Sequence, residues 1–127
     1  MKKIFPMTAL IMMLFSLAAC SSTVKLDQSN DGQTIDLNTG QKLVIALEGN
    51  PTTGYNWEVG EIDGSIIEQV GEADFKADSV LIGSGGVVTL TFTGVAPGEA
   101  HLKLVYHKSW EADVAPLEEF NITIHVK

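Results

Sequence analysis

Apolar residues recur at every second position in four stretches of the chain, with mostly polar residues between them. A β-strand that buries one face has this period of two, because successive side chains point to opposite faces of the sheet. The alternating apolar positions are Leu43, Ile45 and Leu47; Val88, Leu90 and Phe92; Leu102, Leu104 and Tyr106; and Phe120, Ile122, Ile124 and Val126. No convincing helical period follows residue 20, so the pattern predicts strands.

Turn-forming sequences such as LNTGQ, GNPTTG, GSGG and VAPGE separate the predicted strands. Seven or eight short strands in about 100 residues are typical of an immunoglobulin-like antiparallel β-sandwich. Cys20 is the only cysteine, so an intrachain disulfide is impossible and packing alone must hold the two sheets together. We place this all-β domain at residues 33–127, with no internal repeat and no second domain.

The first 19 residues have the pattern of a secretory signal peptide. Lys2 and Lys3 form a positive start, and the apolar core IFPMTALIMMLFSL is followed by small residues that end at Cys20. A short transmembrane anchor with an incidental cysteine is the alternative. It is less favoured because a spanning helix needs about 20 apolar residues, and because this run ends in small residues rather than positive ones.

The sequence LAAC, which ends at Cys20, resembles the lipobox of bacterial lipoproteins. The resemblance implies cleavage before Cys20 and lipid attachment to that residue, which would hold the protein at a membrane of the cell envelope. Ser21 rather than Asp follows the cysteine, and by resemblance to enterobacterial sorting rules this favours the outer membrane over the inner. Residues 20–32 are predicted to be the lipidated cysteine and a flexible, polar tether.

The charge of the processed chain excludes one class of partner. Cleavage before Cys20 would leave 108 residues with 6 lysines, no arginine and 16 acidic residues, a net charge of −10. Nucleic-acid binding needs a basic face that displaces counterions, so we expect no nucleic-acid partner. Electrostatic adhesion to anionic lipid is disfavoured for the same reason. We expect a monomer.

The segment NPTTG is more particular than a chain reversal requires, since a plain hairpin needs only Asn-Gly or Asp-Gly. Pro51 fixes its own φ and pushes Asn50 towards an extended conformation. Thr52 and Thr53 are β-branched and stiff, and Gly54 permits a positive φ. We predict a loop of defined shape that exposes backbone N–H and C=O groups.

Two further loops differ from ordinary turns. LIGSGGV, residues 81–87, leads into a strand and not into the helix that a phosphate-binding loop needs, so we expect a backbone that another surface can approach closely. YHKSWEAD, residues 106–113, places Trp110 among polar residues after a strand, where an exposed aromatic is typical of a binding anchor. The alternative is that Trp110 folds back over the sandwich edge. Trp57, by contrast, is expected to fill the core.

These three loops, in this order, resemble those of the chagasin-type inhibitors of papain-like cysteine peptidases, across about residues 33–126. That family has an N-P-T-T-G-[YF]-x-W loop, a G-x-G-G loop and an R-P-W loop on an immunoglobulin-like sandwich. The first two motifs match at Asn50, Pro51, Thr52, Thr53, Gly54, Tyr55 and Trp57, and at Gly83, Gly85 and Gly86. The third matches only at Trp110, since Lys108 and Ser109 stand where Arg and Pro are usual.

The resemblance implies a reversible inhibitor that occludes the cleft of a papain-family cysteine peptidase. By resemblance, the first loop enters the middle of the cleft with Thr53 at or near its tip. The Gly-rich loop then pairs its backbone with the enzyme on one side, and Trp110 lies against an aromatic surface on the other. Because Lys108 lacks the planar, forked guanidinium of Arg and Ser109 lacks the fixed φ of Pro, we expect a looser third loop and a weaker or differently selective inhibitor.

Other functions are less favoured. The alternative of another class is a structural or adhesive envelope lipoprotein that keeps the scaffold without inhibiting a peptidase. A carbohydrate-binding or small-ligand-binding module would need a concave aromatic surface that the sequence does not display. The three histidines have no recognised metal-ligand spacing, and no nucleophile–base arrangement is visible, so we predict no metal, no cofactor and no enzymatic activity.

Overall fold

The computed structural model describes residues 22–127, and the predicted signal peptide and Cys20 lie outside this range. Nine strands form two sheets in the described chain. In chain order they are β1 (Val24–Leu26), β2 (Thr34–Leu37), β3 (Lys42–Gly49), β4 (Asn56–Glu61), β5 (Ile67–Gln69), β6 (Asp74–Ala77), β7 (Gly86–Gly94), β8 (Gly98–His107) and β9 (Glu118–Val126). Two short 3₁₀ helices, Gln28–Asn30 and Pro51–Thr53, interrupt the loops.

The two sheets pack as a sandwich, which confirms the predicted fold class. One sheet has the order β1-β3-β7, with β5 and β6 both paired to β7, and the other has the order β2-β9-β8-β4. Most pairings are antiparallel, as predicted, but β1 pairs with β3 and β2 pairs with β9 in parallel. The sheets are therefore mixed, and the short strands β1, β2, β5 and β6 bring the number to nine.

The alternating apolar positions form the core between the sheets. Every apolar residue that the period of two assigned to a buried face is buried in the structure, from Leu43 to Val126. Phe92 and Phe120 are the largest of the fully buried side chains. Each such side chain contributes roughly 1.5–3 kcal/mol by leaving water, which gives this disulfide-free domain its main source of stability.

The predicted tether differs from the structure in its described part. Val24–Leu26 forms β1, in register from Val24 opposite Leu43 to Leu26 opposite Ile45, and Leu26 is buried. Asp27 then caps the first 3₁₀ helix by accepting the N–H of Ser29 at 2.8 Å. The sequence did not reveal this strand, because it is three residues long, lies among polar residues and has only one buried side chain, that of Leu26.

The strand registers define two ends of the sandwich. At the end that we call the loop end, Gly49 lies opposite Gly86, and Tyr106 lies opposite both Trp57 and Glu118. At the opposite end, the base, buried Gln41 accepts the N–H of Asn38 at 2.9 Å through its side chain. The amide of Gln41 also donates to the carbonyl of Ser22, so the described chain begins at the base.

Candidate functional site

The three loops singled out in the sequence all lie at the loop end. The first loop, residues 50–55, joins β3 to β4; the second, residues 78–85, joins β6 to β7; and the third, residues 108–117, joins β8 to β9. The antiparallel registers require this grouping, because the ends of β3, β6, β8 and the starts of β4, β7, β9 meet there.

The first loop is a closed turn of defined shape. Asn50 is extended, at φ −140° and ψ 90°, and caps the 3₁₀ helix Pro51–Thr53. The N–H of Gly54 donates to the carbonyl of Pro51 at 3.0 Å, and Gly54 adopts the left-handed conformation at φ 89°. Both conformations agree with the sequence prediction.

The hydroxyl groups of the first loop turn inward. Thr52 Oγ1 donates to Asn50 Oδ1 at 2.5 Å, and Thr53 Oγ1 donates to the backbone carbonyl of Asn50 at 2.6 Å. Thr53 Oγ1 also accepts the N–H of Tyr55 at 3.4 Å. These bonds hold the turn in one shape before any partner docks.

An aromatic stack supports the first loop from below. The hydroxyl of Tyr106 accepts the backbone N–H of Asn50 at 2.8 Å. The Tyr106 ring lies between Trp57 and Tyr55, with centroid distances of 5.1 and 5.3 Å. Trp57 is 3% exposed and donates its indole N–H to the carbonyl of Glu48 at 3.0 Å, so it fills the core as predicted. Sequence reasoning assigned Tyr106 only to the core and missed its hydroxyl contact.

The second loop is the tip of the β6–β7 hairpin. The N–H of Asp78 donates to the carbonyl of Gly85 at 3.0 Å, which extends the pairing beyond the strands. Val80, Leu81 and Ile82 then project into solvent, with Val80 and Ile82 fully exposed. Sequence reasoning missed this apolar group. Three apolar residues in succession directly before a Gly-rich turn, outside any alternating stretch, were the available signal.

The three glycines of the second motif have different environments. Gly83 adopts φ 81°, and a Cβ there would meet nothing within 4 Å. Gly85 lies against Asn50, 3.9 Å from Asn50 Cβ to the position of a Cβ on Gly85. Gly86 is buried, and a Cβ there would come within 2.1 Å of the Lys76 carbonyl oxygen. Gly86 therefore admits the backbone of β6, and the structure does not place it on the surface that sequence reasoning assigned to it.

The third loop packs against the first. Trp110 is 68% exposed, as expected for an anchor, and its indole lies against Gly54. A Cβ on Gly54 would come within 2.8 Å of Trp110 Cη2. Lys108 Nζ lies 5.0 Å from the centroid of the Tyr55 ring, which is a cation–π distance. Val114 and Leu117 are also exposed in this loop, so its outer surface carries apolar as well as acidic groups.

Residues 22–127 lack two features that would indicate other functions, a group of metal ligands and a long apolar helix. This part of the chain contains no group of three or more His, Cys, Asp or Glu placed to hold a metal ion. Within the same range, no helix has the length and apolar character needed to cross a membrane.

The β-sandwich and its three grouped loops agree with the protein family that the sequence matches. The sequence profile described as chagasin family peptidase inhibitor I42 matches residues 36–124, which spans β2 to β9 and all three loops. The chain belongs to the chagasin family. Because this family consists of peptidase inhibitors, its membership agrees with the prediction that the chain is not an enzyme.

Comparison with individual relatives and solved structures supports the same family. Amoebiasin-1 of Entamoeba histolytica is 35% identical over 106 residues, which covers 82% of this chain and 100% of that protein. A p53 epitope-scaffold based on an inhibitor of cysteine proteases has 33% identity and a TM-score of 0.56, covering 68% of this chain and 85% of the scaffold. The cysteine protease inhibitor EhICP2 of Entamoeba histolytica has the same fold, with a TM-score of 0.73 at 22% identity, covering 83% and 96%.

Within the chagasin-family domain, the structure brings together almost every residue that the motifs selected. Asn50 to Tyr55 form the middle of the loop end, with Gly83 and Gly85 on one side and Lys108 and Trp110 on the other. Gly86 is the exception, since it is buried in the hairpin. Cys20, the predicted lipidation site, lies outside the described residues.

Proposed function

We propose that this chagasin-family protein is a reversible inhibitor of papain-family cysteine peptidases, and that it acts by filling the active-site cleft with its loop end. The observation that carries the proposal is the closed first loop, which projects between two flanking loops and is held in shape by its own hydrogen bonds. Such a wedge can occlude a cleft that holds a Cys–His pair without reacting with it.

The conformation of the first loop favours inhibition over cleavage. Pro51–Thr53 is a 3₁₀ helix closed by the bond from Gly54 N–H to the Pro51 carbonyl. A peptidase cleft binds its substrate as an extended strand, so this turn does not place a scissile peptide bond beside the nucleophile. The inhibitor would consequently remain intact and dissociate unchanged.

Preorganisation makes the contact energy available for binding. A loop that is already ordered loses little conformational entropy when it docks, so a larger share of the contact energy becomes affinity. A standard interface buries roughly 800 Å² on each partner, which three adjacent loops can supply. Exposed Trp110 would be the aromatic anchor on the third-loop side.

The test is steady-state inhibition of papain and of a cathepsin L-type peptidase by the protein without residues 1–20. We expect reversible inhibition that is competitive with substrate, at nanomolar to low micromolar concentrations. Absence of inhibition at tens of micromolar, with circular dichroism showing the folded domain, would contradict the proposal. The alternative of an adhesive envelope lipoprotein is not favoured, because it gives no role to the closed first loop.

We further propose that the protein is lipid-anchored in the cell envelope through Cys20, with the outer membrane favoured over the inner. The support is the LAAC sequence together with the position of Ser22 at the base, opposite the loop end. The eight residues of β3 span about 25 Å between the two ends, so an anchor at the base would point the loops away from the lipid.

The anchor is tested by labelling cells with radioactive palmitate. The full-length protein is expected to incorporate label and to fractionate with the outer membrane. Cys20→Ser is expected to lose both properties while retaining peptidase inhibition. A labelled Cys20→Ser protein, or an unlabelled full-length protein, would contradict the anchor without affecting the proposed inhibition.

A further inference from the structure

The side-chain amide of Asn50 lies between the first and second loops and bonds to both. Its Oδ1 accepts the N–H of Thr52 at 3.2 Å and the hydroxyl of Thr52 at 2.5 Å. Its Nδ2 donates to the carbonyl of Gly83 at 3.0 Å. A backbone N–H can only donate and a backbone carbonyl can only accept, so these partners fix the orientation of the amide.

The backbone of Asn50 is also occupied within the chain. Its N–H donates to the Tyr106 hydroxyl at 2.8 Å. Its carbonyl accepts the N–H of Thr53 at 3.1 Å and the hydroxyl of Thr53 at 2.6 Å. Every polar atom of Asn50 therefore has an intramolecular partner. Its two oxygens each accept two bonds, so a peptidase could use only the second N–H of Nδ2 without breaking a bond of the free protein.

The second loop has few other attachments. In the described chain, the Asn50–Gly83 bond is the one side-chain hydrogen bond that joins residues 78–85 to the first loop. The remaining hydrogen bonds of the loop are internal, as from Ser84 N–H to the Leu81 carbonyl at 3.2 Å. Gly85 permits the approach, because its lack of a side chain lets the loop lie against Asn50.

We propose that Asn50 is a positioning residue whose amide fixes the second loop relative to the first, and that its side chain does not contact the peptidase. Both loops then reach the enzyme in a single arrangement, which reduces the ordering entropy lost on binding. This inference rests on the proposed inhibition, and it reassigns a residue that the motif alone places among the protease contacts.

Two substitutions separate the bond to Gly83 from the two bonds to Thr52. Asn50→Asp has nearly the same shape and keeps the acceptor for Thr52, but it turns a carboxylate oxygen towards the Gly83 carbonyl. Asn50→Ser still caps the 3₁₀ helix, because Ser is a good N-cap residue, but it is too short to reach Gly83. Asn56→Asp is the matched control, since it adds the same charge at the start of β4 near the loop end.

The first measurement is ¹⁵N relaxation on the free protein. In Asn50→Asp and Asn50→Ser we expect the amides of residues 80–85 to become mobile, with order parameters below about 0.6. The amides of Thr52 and Thr53 should stay as ordered as in the wild type and in Asn56→Asp. Unchanged order in residues 80–85 of both Asn50 variants would overturn the inference.

The second measurement is inhibition of papain by the same proteins. Loss of one intramolecular hydrogen bond predicts that both Asn50 variants bind up to about tenfold more weakly, with Asn56→Asp unchanged. Weaker binding without added mobility in the second loop would mean that Asn50 contacts the peptidase, which overturns the inference. If the wild type inhibits no peptidase, the proposed function fails, and the relaxation data alone still decide whether Asn50 positions the second loop.

Discussion

The ammonium group of Lys108 lies 5.0 Å from the centroid of the Tyr55 ring and joins the third loop to the end of the first. The usual residue of the family motif at this position is Arg, so the sequence predicted a looser third loop. In this chain two contacts attach the third loop to the first. The Lys108 ammonium lies at a cation–π distance from the Tyr55 ring, and the Trp110 indole lies against Gly54.

Restoring the usual motif tests how well this contact substitutes for it. Lys108→Arg combined with Ser109→Pro should strengthen inhibition of papain about threefold, because a planar guanidinium stacks better on Tyr55 and Pro restricts the loop. Lys108→Met, which keeps an unbranched side chain of similar length but not the charge, should weaken inhibition by about the same factor. If the double variant binds no more tightly than the wild type, the third loop is not the weak part of this inhibitor.

The Tyr106 hydroxyl should be needed for the shape of the first loop. Tyr106→Phe leaves the N–H of Asn50 without its partner, which is expected to lower the free energy of unfolding by about 1–2 kcal/mol and to weaken inhibition. Urea denaturation followed by circular dichroism measures the first effect. Tyr55→Phe is the control, because it removes a hydroxyl from the same aromatic stack but leaves the Asn50 N–H bonded to Tyr106, so it should change stability little. An equal loss of unfolding free energy in Tyr106→Phe and Tyr55→Phe would contradict this role for Tyr106.

Gly54→Ala should affect inhibition more than its backbone strain alone explains. Gly54 and Gly40 have nearly the same positive φ, 89° and 83°, so alanine at either position costs about 1–2 kcal/mol of strain. A Cβ at Gly40 meets nothing within 4 Å, whereas a Cβ at Gly54 collides with Trp110. We expect similar unfolding free energies for the two variants, but a shifted tryptophan fluorescence and at least tenfold weaker inhibition for Gly54→Ala only. Equal inhibition by both would show that the Trp110–Gly54 contact is not needed.

The sequence predicts the core and the loop conformations well, because both depend on local rules. The period of two identified the buried faces of β3, β7, β8 and β9, and the NPTTG residues determine the extended Asn50 and left-handed Gly54 through their own φ preferences. The family motifs also located the residues of all three loops, whose grouping at one end then follows from the strand registers.

The features that the sequence did not reveal depend on contacts between distant residues. β1 is a strand because β3 offers it an edge, and its three residues alternate apolar and polar over too short a stretch to predict a strand by themselves. The burial of Gly86 depends on the approach of Lys76, and the support of Asn50 depends on Tyr106, 56 positions away. Such pairings are set by the register of the sheets, which no local pattern specifies.

The central claim is that the first loop occludes a peptidase cleft, and Thr53→Arg tests it most directly. Thr53 is exposed on the loop, so a large charged side chain should block entry of the loop into the cleft. The variant also loses the two hydrogen bonds of the Thr53 hydroxyl within the turn, but these bonds lie outside the core and their loss should not unfold the domain. Thr34→Arg, at an exposed position on β2, adds the same charge away from the loops. The measurement is the inhibition constant against papain for the wild type and both variants. The account predicts that Thr53→Arg loses at least a hundredfold in affinity while Thr34→Arg inhibits like the wild type; equal inhibition by all three proteins would contradict it.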